Sequence, residues 1–178
     1  MTIIRLSLFW LPAVFGAIAA VTDWRWRRIP NWWTVPGFVL GLAGNWMVRG
    51  WPGGKDSLLG AGLGLLLLLP FVAVRGIGMG DLKLVIALGA LLGPRHLLSV
   101  LFAGILVNAL MAAVMIIAKK RVLETLRNLL RMLAAFLSLH LPGPDLTLDN
   151  PNLVKVPFGV AIAVAVVLYT VGRALHVI

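Results

Sequence analysis

Apolar residues along this chain come in long blocks rather than at every second or every third and fourth position. Ile3–Val21 carries one charge, Arg5, near its start. Trp32–Val48 follows, then Ser57–Val74, where Pro70 predicts a kink. Leu84–Leu92 is a shorter block closed by Gly93-Pro94, while Leu97–Ala118 and Pro157–Leu175 are long and clean. A helix needs about 20 apolar residues to cross a hydrocarbon core of roughly 30 Å. Five blocks approach that length, whereas the nine-residue Leu84 block could cross only if its helix begins further back, near Asp81, and so stays partly immersed. The pattern predicts an all-α polytopic membrane protein with about six transmembrane helices, forming a single membrane-embedded domain over residues 1–178.

Composition agrees. Hydrophobic residues make up 61% of the 178 positions, charged residues 12%, and mean hydropathy is +1.00. A soluble domain is about 45–50% apolar and about 25% charged, so a chain of this size has more apolar surface than a water-soluble core can hide. The net charge of +10 would suit a nucleic-acid binder, but its distribution argues otherwise. Arg25, Arg27, Arg28, Arg75, Lys83, Lys119, Lys120, Arg121, Arg127, Arg131 and Lys155 fall on one side of the predicted spans, with only Arg5, Arg49, Lys55, Arg95 and Arg173 on the other. Cytoplasmic loops carry the excess of basic residues, which places the first group inside and both termini outside. Trp24, Trp26, Trp32 and Trp33 fall where an interfacial aromatic belt is expected. Membrane lipid is therefore the expected partner of these charges, and nucleic acid is not. The opening also resembles a secretory signal ending in Ala17-Ile18-Ala19; cleavage there would leave Trp24–Arg28 outside, against the charge asymmetry.

Between the last two spans, at about 119–155, the longest polar connection is expected in the cytoplasm. Lys120, Glu124, Arg127 and Arg131 recur at helical spacing, with Leu, Met and Phe on the other faces, which predicts an amphipathic helix over Arg121–His140 on the leaflet surface. Leu141–Asn152, with Pro142, Gly143, Pro144, Asp145, Asp149, Asn150 and Pro151, predicts an irregular segment. Gly37/Gly41 and Gly60/Gly64 are small-xxx-small pairs, expected to be helix-packing surfaces.

Six carboxylates carry the candidate chemistry: Asp23, Asp56, Asp81, Glu124, Asp145 and Asp149. Asp56 is expected in a short outer loop and Glu124 on the surface helix. Asp23 and Asp81 each stand at the cytoplasmic edge of a span, where an ionisable residue is a functional hypothesis; a solvated helix end paired with Arg25 or Lys83 fits that position equally well. Surroundings separate the readings. Asp81 closes Gly76-Ile77-Gly78-Met79-Gly80-Asp81, whose glycines permit close approach of another backbone. Asp23 precedes a basic stretch ending in Ile29-Pro30-Asn31. Without cysteine there is no disulfide, thiolate zinc site, iron–sulfur cluster or Cys nucleophile. His96 and His176 map to the outer side and His140 stands alone, so neither a metal site nor a cofactor is expected.

With these residues the chain resembles the type IV prepilin peptidase family, GxGD-type intramembrane aspartic peptidases. In that family one catalytic aspartate precedes a basic stretch ending in Ile-Pro-Asn, matched by Asp23 with Ile29-Pro30-Asn31. The second closes Gly-x-Gly-Asp before Lys-Leu, matched by Gly78-Met79-Gly80-Asp81 with Lys83-Leu84. A third match, Val156-Pro157-Phe158-Gly159-Val160-Ala161-Ile162-Ala163, opens the last span. Long members carry a cysteine-rich zinc segment and also methylate the new N-terminus. This chain lacks cysteine and resembles the short forms of tight-adherence (Flp-type) pilus systems, so N-methyltransferase activity is not assigned.

The resemblance implies an aspartic endopeptidase of the bacterial inner membrane. Its substrate would be a prepilin or pseudopilin whose short basic leader is removed after a glycine at the cytoplasmic face. Asp23 and Asp81 would be catalytic and bring spans one and four side by side. Gly78 and Gly80 would let an extended substrate approach, and Lys83 would stabilise charge or sit at the interface. Pro30 and Asn31 would shape the turn, with Asn31 also capping the second span. Pro157 would open the last helix in its first turn, and Phe158 and Gly159 would join it in lining the substrate groove. Asp145 and Asp149 are the spare acids for a basic leader. Self-association stays open. The competing classes are a non-enzymatic membrane scaffold, in which the two aspartates form interhelical ion pairs, a transporter, and a GxGD peptidase with another membrane substrate.

Overall fold

The computed structural model describes residues 2–26, 29–137 and 156–175. Among these the chain forms six helices and no strand: α1 (Thr2–Trp26), α2 (Asn31–Ala73), α3 (Met79–Leu92), α4 (Pro94–Ala118), α5 (Val122–Leu137) and α6 (Phe158–Ala174). The all-α expectation holds. By length and composition α2 and α4 can cross a membrane, and α6 is a shorter apolar helix.

The second and third predicted spans merge into α2, and here the sequence reading needs correcting. The expected outer loop is absent: Trp51–Asp56 is helical, and the chain turns at Gly50 alone, with φ 63° and ψ −149°. Only glycine adopts that backbone readily. Pro52 then falls in the opening turn of the second arm, where its missing N–H costs nothing. The arms fold back on each other. Ser57 Oγ donates to Gly41 O at 3.3 Å, and Arg49 pairs with Asp56 at 2.6 Å. Asp56 is thus a helical residue in an ion pair. Gly50 is also the one position within α2 with non-helical backbone angles, and Pro70, where a kink is expected, stays inside the helix close to its end, where losing one intrahelical bond is tolerated.

Small residues set the spacing of the remaining packing. A Cβ on Gly60 would run into the Gly89 carbonyl, and one on Gly41 would stand 2.7 Å from the Ala90–Leu91 peptide. Both arms of α2 therefore press backbone to backbone on α3, as the small-residue pairs predict. Asn45 locks the contact, its Nδ2 donating to Gly41 O, Ala90 O and Leu91 O at 3.0–3.2 Å. Leu84, Val85, Ala87, Leu88 and Ala90 on α3 have no exposed surface, so α3 is the enclosed centre of the bundle. On the far side α6 packs between α1 and α4.

Outward surfaces are apolar as well. Leu66, Phe102, Leu110 and Leu168 are exposed, an arrangement suited to a lipid solvent. α5 sits on α4 with Leu123, Leu126, Leu129 and Leu130 exposed on one face and Glu124, Arg127 and Arg131 on the other. It ends at Leu137. His140, the predicted irregular segment with Asp145 and Asp149, and Lys155 lie outside the described residues, as do Arg27, Arg28 and His176.

Candidate active site

Two helix ends build the site. α1 delivers Asp23 in its last turn, and α3 delivers Asp81 in its first turn. Gly78 is the N-cap of α3, with extended backbone at φ −72° and ψ 146°, and the Asp81 carboxylate reaches back toward the Gly78 backbone N–H. That is the carboxylate half of a capping box, in which an acid at the third helical position answers an otherwise unsatisfied donor. A Cβ on Gly78 would stand 3.2 Å from Asp81 Oδ2, so the glycine leaves room for this return.

Asp23 is held from the opposite side. The Gly159 backbone N–H, in the first turn of α6, donates to Asp23 Oδ2 at 3.0 Å. A Cβ at Gly159 would fall 2.7 Å from the same oxygen, so only glycine lets the helix end come this near. Each aspartate is thus positioned by the amino end of a helix, where unpaired N–H groups favour a carboxylate.

Both acids line one cavity of about 480 Å³, together with Ile29, Pro30, Asn31, Gly78, Met79 and Gly80. Asp23 is 9% exposed, and the two carboxylates are close enough for their charges to interact. The cavity floor comes from both sequence segments that flank the aspartates: Ile29 is buried, and a Cβ on Gly80 would stand 3.4 Å from it. Among the described residues no group of three or more His, Asp or Glu side chains could hold a metal.

Residues 10–117 match the type IV leader peptidase family. The chain belongs to that family. The prepilin leader peptidase/N-methyltransferase of Xanthomonas campestris pv. campestris is 33% identical over 106 residues, 56% of this chain and 37% of that relative. The chain therefore aligns with well under half the length of the curated relative. No solved structure gives a significant match.

Within this leader peptidase fold the predicted site residues divide. Asp23, Asp81, Gly78, Gly80, Pro30 and Asn31 meet at the cavity. Lys83 does not line it: Nζ donates to Asn31 Oδ1 at 2.8 Å, tying the start of α3 to the start of α2. This contact replaces the expected Asn31 cap, since Pro30 is the N-cap of α2 and no side chain bonds there. It also engages the lysine that the solvated-end reading would have paired with Asp81. Pro157 is the N-cap of α6 rather than a residue of its first turn. Pro157, Phe158 and Gly159 do not line the cavity, and Gly159 acts behind Asp23 instead. The Ile29 and Met79 walls were not singled out in the sequence, although both lie inside its quoted motifs.

Proposed function

We propose that the chain is a membrane aspartic endopeptidase that removes the short basic leader of a type IV or Flp-type prepilin, with Asp23 and Asp81 as the catalytic pair. One observation carries the reading: the two carboxylates line one cavity at adjoining helix ends. Family membership supports it. Leader removal by this chain is inferred, since the alignment reaches only 37% of the named relative.

Two carboxylates in one half-buried cavity cannot both ionise comfortably, so they share a proton. The ionised member takes a proton from water as the water oxygen attacks the scissile carbonyl, while the protonated member donates to the carbonyl oxygen. The resulting gem-diol collapses to a carboxylic acid and an amine, with no acyl-enzyme. The pair acts as a unit, and either aspartate fits either role. Gly78 and Gly80 leave the cavity rim bare, giving an extended substrate room to approach the acids.

In this reading six segments cross the inner membrane: α1, the two arms of α2, α3, α4 and α6, with both termini outside and the aspartates toward the cytoplasm. The exposed apolar side chains and the skewed distribution of Arg and Lys support it. α5 then lies on the cytoplasmic leaflet, leucines down and arginines toward the headgroups. No methyl transfer is proposed for this chain.

The test is co-expression with a small prepilin, following leader loss on a gel for wild type, Asp23→Asn and Asp81→Asn. Loss of processing in both variants at equal membrane abundance is the expected result. Processing that survives both substitutions would overturn the assignment and favour a scaffold.

A further inference from the structure

At the end of the bundle remote from the aspartates, basic side chains converge, and among the described residues they outnumber the acids beside them. α3 is about 21 Å long at 1.5 Å per residue, and this second cluster begins beyond its far end, past Gly93. Arg49, Arg95 and Arg173 all act electrostatically on His96, with Asp56 the single acid among the described residues doing so. Asp56 is already engaged, pairing with Arg49 at 2.6 Å. Neither Arg95 nor Arg173 has a carboxylate partner among the described residues.

The cluster is held rather than loosely displayed. The Arg173 guanidinium is half-buried and lies 5.5 Å from the Phe9 ring centre and 6.0 Å from that of Tyr169. These cation–π contacts fix its position without neutralising its charge. His96 Nδ1 meets the Tyr169 hydroxyl at 2.5 Å. With Tyr169 donating, the ring proton sits on Nε2, which becomes a further donor. Arg95 is exposed beside it. Trp46 and Trp51, packed edge to face at 5.3 Å, flank the Gly50 turn of α2 at the same end of the bundle, and paired tryptophans of this kind favour the headgroup level of a bilayer.

We infer that Arg95, His96 and Arg173 form a binding site for the phosphate of an anionic phospholipid headgroup on the membrane face opposite the aspartates. Guanidinium forks match phosphate oxygens in pairs. A lipid phosphate at this depth supplies a negative charge that the described residues around Arg95 and Arg173 do not. The site is independent of the catalytic reading.

Native mass spectrometry of the purified full chain, released from detergent with phosphatidylglycerol or phosphatidylcholine, tests the inference. Wild type should retain one more phosphatidylglycerol than Arg95→Gln/Arg173→Gln, whose occupancy at that level should fall about tenfold, as expected for losing charge-assisted hydrogen bonds. Arg127→Gln/Arg131→Gln on α5 should leave this lipid in place, and Arg95→Lys/Arg173→Lys, which keeps the charge, should retain part of it. Equal retention of phosphatidylcholine, or unchanged retention in the Gln pair, would overturn the proposal. Displacement of the lipid by excess inorganic phosphate would also overturn it, in favour of a free-anion site.

Discussion

The Gly159 amide donates to Asp23 Oδ2 at 3.0 Å across 136 positions of sequence. This one bond connects the start of the last helix to the end of the first, and it places a backbone donor where no side chain has to be spent. The first prediction concerns it. Gly159→Ala puts a methyl group 2.7 Å from the carboxylate oxygen, so either Asp23 or α6 has to move. Losing a hydrogen bond to a charged group costs about 1.5–3 kcal/mol, and prepilin processing should fall about 10- to 100-fold. Gly62→Ala, where a Cβ meets nothing within 4 Å, should process normally in the same gel assay.

Groups that share one proton fail together. The Asp23→Asn/Asp81→Asn double variant should be no slower than the slower single variant, because either substitution alone removes the acid–base pair. Single-turnover cleavage of a purified prepilin in detergent measures this directly. Rates that multiply would mean the two acids act separately.

Lys83 was a candidate for charge stabilisation at the site, whereas its ammonium bonds Asn31 outside the cavity wall. An exposed hydrogen bond of this kind, for which water competes, contributes about 1 kcal/mol. Lys83→Met should therefore lower processing by no more than about fivefold, far less than either aspartate substitution. A loss comparable to Asp81→Asn would return the lysine to the reaction.

Backbone contact between α2 and α3 carries a stability prediction. Any side chain at Gly60 collides with the Gly89 carbonyl, and overpacking of this sort costs about 1–3 kcal/mol. Gly60→Val should lower the thermal midpoint in detergent by several degrees and lower processing with it, while Gly62→Val should change neither.

Much of the site was legible in the chain because it sits in two short motifs. Asp23 with Ile29-Pro30-Asn31 and Gly78-Met79-Gly80-Asp81 supply every described residue that lines the cavity. What escaped was contact between segments. Nothing local tells that Asn31 will accept from Lys83 rather than cap its own helix, because both bonds suit the same amide. Gly159 was visible as part of a motif, but its role depends on its backbone, which sequence patterns do not display. The turn at Gly50 was hidden for another reason. Trp51-Pro52-Gly53-Gly54-Lys55 has the composition of a loop, yet Pro52 suits an opening helical turn. Gly53 and Gly54 serve the crossing, since a Cβ on either would strike Asn45 O or the Trp46 ring. Turn residues and close-packing residues are the same residues, and only the neighbour distinguishes them.

The enclosed position of α3 has a mechanical consequence. α2 grips α3 along both arms, while α6 packs most closely with α1 and α4 and only lightly with α3. The bundle is thus two leaves, one carrying Asp81 and the other Asp23, and the cavity that both acids line opens along their seam. Under the proposed aspartic mechanism, the packing between the two leaves, rather than the bend of any one helix, is what sets how closely the two acids approach.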